Sequence, residues 1–148
     1  MPSKDDLLES TETWYKGSSV RDFLARILAA REAVSAWYEA SRTQQTDGSF
    51  LAKYFVCTGK MLLVLIVSAS QIEVRAYPLA GLQKLTFRTP YDPGHVAIWP
   101  RTELTCRFLV GTEPERVQVD FPQRDDQIPG FFSVVQNLLF WSGRNFPA

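Results

Sequence analysis

From Phe50 to Phe121 the chain carries a succession of short runs in which apolar and polar residues alternate, and it then closes on an almost wholly apolar stretch, Ile128–Trp141. Phe50–Thr58 leads through Gly59-Lys60, a two-residue hairpin signal with glycine first, into Met61–Ala69. Met61–Val67 is nearly continuous in apolar residues, which predicts a strand buried on both faces. Ser70-Gln71 then turns into Ile72–Tyr77, where Ile72, Val74 and Ala76 alternate with Glu73 and Arg75. Pro78–Gly81 interrupts, and Leu82–Arg88 resumes the alternation with Leu85 and Phe87. Thr89–Gly94 reads as a loop, His95–Trp99 as a short edge strand bounded by Pro100, and Glu103–Val110 with Arg116–Phe121 as a hairpin across Gly111–Glu115. Strands at intervals of roughly ten residues predict a meander, a strongly bent antiparallel sheet or a small barrel.

Two stretches carry the helical period instead. Ile128, Phe131, Phe132, Val134, Val135, Leu138, Leu139 and Trp141 fill one half of a wheel turned 100° per residue, with Phe140 on the opposite side beside Ser133, Gln136 and Asn137. Asp125 or Asp126 can cap this helix, Pro129 suits its first turn, and Gly143 suits its end. Such a helix must lie on a large apolar surface, here the open end or face of the sheet. Val20–Arg42 predicts a second, long helix of roughly 35 Å. Val20, Phe23, Leu24, Ile27, Leu28, Val34, Trp37 and Tyr38 share about half of its wheel, Ser19 is its cap, and Arg31 lays its stem along that face. Thr43–Gly48 offers only linker residues. The expected organisation is an N-terminal tail over 1–17, either a frayed terminus or a short helix docked through Trp14 and Tyr15, followed by one α+β domain over 18–148 with helices at 20–42 and 128–142 around a β-rich 50–121.

Composition narrows the function classes. At 148 residues, 45% hydrophobic and 22% charged, the chain reads as about one ordinary globular domain. Sixteen basic residues balance sixteen acidic ones, which gives no general pull toward nucleic acid or an anionic membrane. No basic and apolar leader opens the sequence, and Met61–Ala69 is too short to span a bilayer, so the expected compartment is the cytoplasm. Cys57 and Cys106 sit in strands with no CxxC or Cys/His cluster, and read as small buried apolar residues rather than a disulfide or metal pair.

Catalytic signals are absent from the sequence. His95 is the one histidine, no GxSxG, GxGxxG or GxxxxGK[ST] occurs, and the pairs Asp5-Asp6 and Asp125-Asp126 sit where helix N-terminal charge is expected. No cofactor or metal is expected, and the chain is read as a non-catalytic module. The best candidate for a binding site is the 89–101 loop with its neighbour: Arg88, Tyr91, His95, Trp99 and Arg101 combine the aromatic and arginine side chains that dominate binding hot spots, the alternative being that Tyr91 and Trp99 pack under the loop and the arginines are solvated. Trp37, Tyr38, Phe140 and Trp141 are expected at an interface, because two amphipathic helices present more large apolar side chains than one small barrel can cover. The expected partner is another protein or a second copy, as a homodimer.

The stretch Lys60–Phe87, read as strand, turn, strand with Glu73 and Arg75, the break Pro78–Gly81 and another strand, resembles the middle of a bacterial pleckstrin-homology-like domain. Phe131–Leu139 is similar to the helix that plugs one end of that barrel. The resemblance spans residues 50–142 and implies a PH-like barrel with a C-terminal capping helix, an added N-terminal helix, and binding of phosphoinositides or protein partners. The basic cradle that lipid-binding members resemble is reduced here to Lys60 beside Lys53, so a membrane surface is the alternative rather than the leading partner. A second resemblance is to secretion-chaperone-like, partner-binding folds. These want a helix between the third and fourth strands, where Pro78, Pro90, Pro93 and Gly94 stand.

Overall fold

The computed structural model describes residues 34–44, 50–68, 71–89 and 102–145, and before them Leu7, Asp22, Phe23, Ala25 and Arg26. Four strands, β1 (Val34–Gln44), β2 (Phe50–Thr58), β3 (Met61–Val67) and β4 (Ile72–Pro78), pair antiparallel in chain order. Three more, β5 (Leu82–Arg88), β6 (Glu103–Val110) and β7 (Glu113–Val119), form a second antiparallel meander. A 3₁₀ turn at Leu79–Gly81 joins the sheets, and another at Asp125–Gln127 runs into helix α1 (Ile128–Asn145). The architecture is α+β. The expected barrel is not closed: the strands divide into a four-stranded and a three-stranded sheet, and β4 and β5 are separated by the 3₁₀ turn rather than paired. The strand expected at His95–Trp99 lies outside the described residues.

Local chemistry accounts for the hairpins. Across Gly59-Lys60 the Thr58 hydroxyl accepts hydrogen bonds from the amides of Lys60 (3.3 Å) and Met61 (3.0 Å), closing the turn between β2 and β3. At the β6–β7 turn Gly111 takes φ 67°, a left-handed conformation that glycine adopts without steric cost. That tight turn lets β7 begin at Glu113, earlier than the expected Arg116. Gly143, expected to end the helix, lies inside it, because α1 runs on to Asn145.

The largest correction falls on the long N-terminal helix. Asp22, Phe23, Ala25 and Arg26 are helical, but Val34–Gln44 is a strand that pairs with β2 from Val34↔Thr58 to Gln44↔Phe50. The helical spacing of Val34, Trp37 and Tyr38 is also what a strand buried on both faces presents, and a short apolar run cannot separate the two by periodicity. Pairing with β2 supplies the backbone partners, and valine, tryptophan and tyrosine suit a pleated surface. Trp37 and Tyr38, expected at an interface with another chain, are therefore core residues on opposite faces of β1. Tyr38 joins the cluster under α1, and Trp37 joins a second cluster with Tyr54, Val56, Leu63 and Leu65. Leu7, from the expected tail, is buried in that second cluster; Trp14 and Tyr15 lie outside the described residues.

Helix α1 packs on β1, β2 and β5 through Phe131, Val134, Val135 and Leu138, all buried. Tyr38 is the hub of this contact. Its ring stacks on Phe55 (5.4 Å, 15°), receives Phe131 edge-on (5.5 Å, 89°), and its hydroxyl donates to the Asp120 carbonyl. Next to it Glu39 is 2% exposed and fully engaged. Its carboxylate meets Arg42 at 2.8 Å and Arg124 at 3.3 Å and accepts from the Tyr54 hydroxyl at 2.8 Å, while its amide donates to Gln127 Oε1 at 2.9 Å. A buried carboxylate is tolerated only with such partners. These partners tie the segment before α1 to β1.

Gly130 marks how close the helix comes. A Cβ there would lie 2.5 Å from the Trp37 carbonyl oxygen and 2.8 Å from Tyr38 Cβ. Alanine has the better helix propensity by about 1 kcal/mol, but an overpacked contact against backbone costs about 1–3 kcal/mol. Gly130→Ala is thus expected to lower stability in urea denaturation, and Leu138→Ala to lower it by about 2–5 kcal/mol. A Gly130→Ala protein as stable as the parent, or a Leu138→Ala loss below about 1 kcal/mol, would show that α1 does not seat tightly on the sheet.

Candidate functional site

The two sheets are built differently. In β2 and β3 both faces are covered, whereas β5–β7 turn only one face inward. Leu104, Cys106, Phe108, Val117 and Val119 point into the core, and Tyr77 of β4 meets Phe108 at 5.3 Å to join the sheets. The alternate positions of β5–β7 therefore face out, as the period of two requires.

Those outward positions are rich in cations. Lys84 of β5 stands opposite Arg107 of β6, which stands opposite Arg116 of β7. The next row is Thr86, Thr105 and Gln118, and beyond it Arg88 stands opposite Glu103. Lys84, Thr86, Arg88, Glu103, Thr105, Arg107 and Arg116 line an open cavity of about 300 Å³. Adjacent strands are about 4.8 Å apart, so the Lys84–Arg107–Arg116 row spans roughly 10 Å of backbone.

A β-bulge produces this alignment. Leu82 pairs with Phe108, yet Lys84 pairs with Arg107, so Gln83 is the extra residue. In an unbroken strand Leu82 and Lys84 would share a face. With the bulge, Leu82 points inward, Lys84 outward, and Leu85 returns to the core side opposite Cys106.

The row carries no internal compensation among the described residues. The ion pairs they form are Arg42–Glu39, Lys53–Asp120, Arg75–Glu73, Arg124–Glu39 and Arg124–Asp126, none of which involves Lys84, Arg88, Arg107 or Arg116. On the same face the row is flanked by Thr86, Thr105 and Gln118 on one side and by Leu109 and Pro114 on the other. Like charges placed directly opposite one another across a sheet oppose its pairing. An anion placed over the row removes that repulsion.

Of the residues expected to form a site, Arg88 belongs to this face, at its Glu103 end. Tyr91, His95, Trp99 and Arg101 lie outside the described residues. The flanks of that segment meet, since the Thr102 hydroxyl donates to the Thr89 hydroxyl at 3.1 Å. The sequence pattern alone does not single out Lys84, Arg107 and Arg116. Their signal is the alternation Lys84-x-Thr86-x-Arg88 beside Arg107 and Arg116, and it becomes visible only when strand register is known. Of the weak lysine pair, Lys53 is engaged by Asp120 at 2.8 Å and Lys60 is exposed in its turn. Phe140 is 63% exposed, as expected, and meets Trp141 edge-on at 6.3 Å; Trp141 is half-buried against the core.

Chemistry elsewhere is limited. Among the described residues no group of three or more His, Cys, Asp or Glu side chains can hold a metal ion, and no helix is long and apolar enough to cross a membrane. Cys57 and Cys106 are free and buried, as expected. Burial pushes both thiols up to about 12, with Cys106 adding to the shift at Cys57. The chain matches no protein-family model, no curated protein and no solved structure.

The thiols give a pH prediction. In the unfolded chain each ionises near its ordinary 9.0, while in the folded chain each stays protonated up to about 12. The unfolded state loses its protons first, so stability falls as pH rises through that window. Burial and the nearby Asp120 charge also raise Tyr38 well above 10.0, and its effect has the same sign. Ellman's reagent at pH 8 is expected to react with both cysteines after denaturation and with neither in the native protein faster than global unfolding. Rapid native labelling would contradict the buried placement.

Proposed function

We propose that this chain is a non-catalytic binding module that docks an acidic segment of a partner protein on the outer face of β5–β7. The single observation that carries the reading is the Lys84–Arg107–Arg116 row, exposed, aligned by a bulge and without an internal counter-ion among the described residues. Arginine's fork matches carboxylate oxygens in pairs, and a sheet face holds its side chains at fixed spacing. The pleckstrin-homology-like resemblance is kept as part of this proposal. Its support is the element order, a four-stranded meander, a three-stranded meander and one C-terminal helix resting on both.

A lipid surface is the weaker occupant. Glu103 lies at one end of the face, so an extended anionic layer meets repulsion there. A compact acidic segment seated over the row does not. The test is titration with a decapeptide of alternating glutamate and glycine. Binding is expected to weaken at least tenfold in the double variant Arg107→Glu, Arg116→Glu, and to fall as salt rises from 50 to 500 mM. Binding that ignores both changes would remove this face as the docking site.

Self-association is a second reading, supported by a different surface. Leu139 and Phe140 are adjacent on α1 and 52% and 63% exposed, a costly arrangement for an isolated helix face. Light scattering at high micromolar concentration is expected to give a dimer mass that reverts to monomer in Phe140→Ser. A monomer for the parent protein would end this reading and leave the acidic-segment reading untouched.

A further inference from the structure

We infer that the group received by the Lys84–Arg107–Arg116 row is a phosphoryl group on the partner segment, not a carboxylate alone. This rests on the docking reading above and narrows its chemistry. Three cations stand side by side on three strands, and their immediate same-face neighbours are Thr86, Thr105, Gln118, Leu109 and Pro114. None of those neighbours supplies negative charge.

Charge and donor geometry set the ligand. A carboxylate brings one charge and two oxygens, which engages one guanidinium in full and leaves two cations of the row unanswered. A phosphomonoester brings a charge of about −1.5 to −2 and three terminal oxygens. One oxygen each can face Lys84, Arg107 and Arg116. Lysine and arginine only donate, and the half-buried Thr105 hydroxyl, two residues along β6 from Arg107 and diagonal to Lys84 and Arg116, adds a fourth donor on the same side. A cavity of about 300 Å³, open to solvent, admits a phosphorylated side chain from above the sheet. Glu103 at the far end faces Arg88, with the Thr86–Thr105 pair between it and the row. It sets a boundary on how far negative charge can spread, which favours one compact dianion over a long acidic tract.

The bulge at Gln83 is part of the same argument. It turns Lys84 outward beside Arg107 although the two like charges oppose each other there. The ligand-free face is thus less favourable than a neutral one, and binding relieves it. Removing one cation is expected to cost affinity without costing stability.

Three decapeptides test this by NMR titration of the full chain: one with a single phosphoserine in a glycine-serine background, the same peptide with serine, and the same with glutamate. Anionic vesicles form a separate arm. The phosphoserine peptide is expected to bind at least tenfold tighter than the glutamate peptide, with amide shifts centred on Lys84, Thr105, Arg107 and Arg116. Arg107→Gln is expected to lose at least tenfold in affinity while its melting temperature stays equal to or above the parent's, and Lys84→Gln and Arg116→Gln give the same reading if Arg107→Gln fails to fold. Equal binding of the phosphoserine and glutamate peptides overturns this inference and leaves the acidic-segment reading standing. Binding of neither overturns both. Vesicle binding without peptide binding assigns the face to a lipid surface and overturns both as well.

Discussion

The contact between Tyr38 and the start of α1 is the constraint on which the rest of the structure depends. Tyr38 stacks on Phe55 of β2, takes the edge of Phe131 from α1 and donates to the carbonyl of Asp120 just after β7. One side chain thereby ties the first sheet, the helix and the end of the second sheet. Gly130 permits it, because any side chain there would meet the Trp37 carbonyl oxygen. The buried Glu39, shared by Arg42, Arg124 and Tyr54, fixes the chain just ahead of the helix. A buried charge with so many partners contributes less to net stability than to the placement of the groups around it.

That junction divides labour between the sheets. The strands β1–β3 bury both faces, one under α1 and one in the cluster that includes Leu7 and Trp37, and are a scaffold. The strands β5–β7 bury one face and leave the other to solvent. Their attachment to the scaffold is close: Tyr77 packs on Phe108 and donates to Glu115 at 3.2 Å, and Gly81 passes so near the Leu109 carbonyl oxygen that a Cβ would stand 2.5 Å from it. A binding surface on such a sheet is held by backbone pairing rather than by loop order, which fixes the spacing of its cations before any ligand arrives.

The electrostatics of the molecule follow from the same division. The cations of β1, β2 and the 124 turn are engaged by Glu39, Asp120 and Asp126, and Arg75 is engaged by its neighbour Glu73 at 2.6 Å. On the outer face of β5–β7, Lys84, Arg107 and Arg116 take part in none of these pairs. An overall balance of sixteen basic and sixteen acidic residues conceals this, since net charge sums over the chain while recognition depends on which charges share a face.

Much of the fold is determined by local sequence. Phe50–Thr58, Leu82–Arg88 and Glu103–Val110 are strands with the expected bounds, the Gly59-Lys60 hairpin forms, and the apolar half-wheel from Ile128 makes the helix. In each, periodicity and turn chemistry agree, so no distant contact is needed to choose. Val34–Gln44 is different. Its apolar spacing satisfies both helix and two-sided strand, and pairing with β2 decided between them. The division into two sheets instead of a barrel is also tertiary, because sequence patterns report which face of a strand is buried and not which edges meet. The candidate site shows the same limit most sharply. Arg88 could be picked out by its composition and its neighbours, but Lys84, Arg107 and Arg116 lie far apart in the chain. They become one feature only through the β5–β6–β7 register and the extra residue at Gln83, which no local pattern encodes.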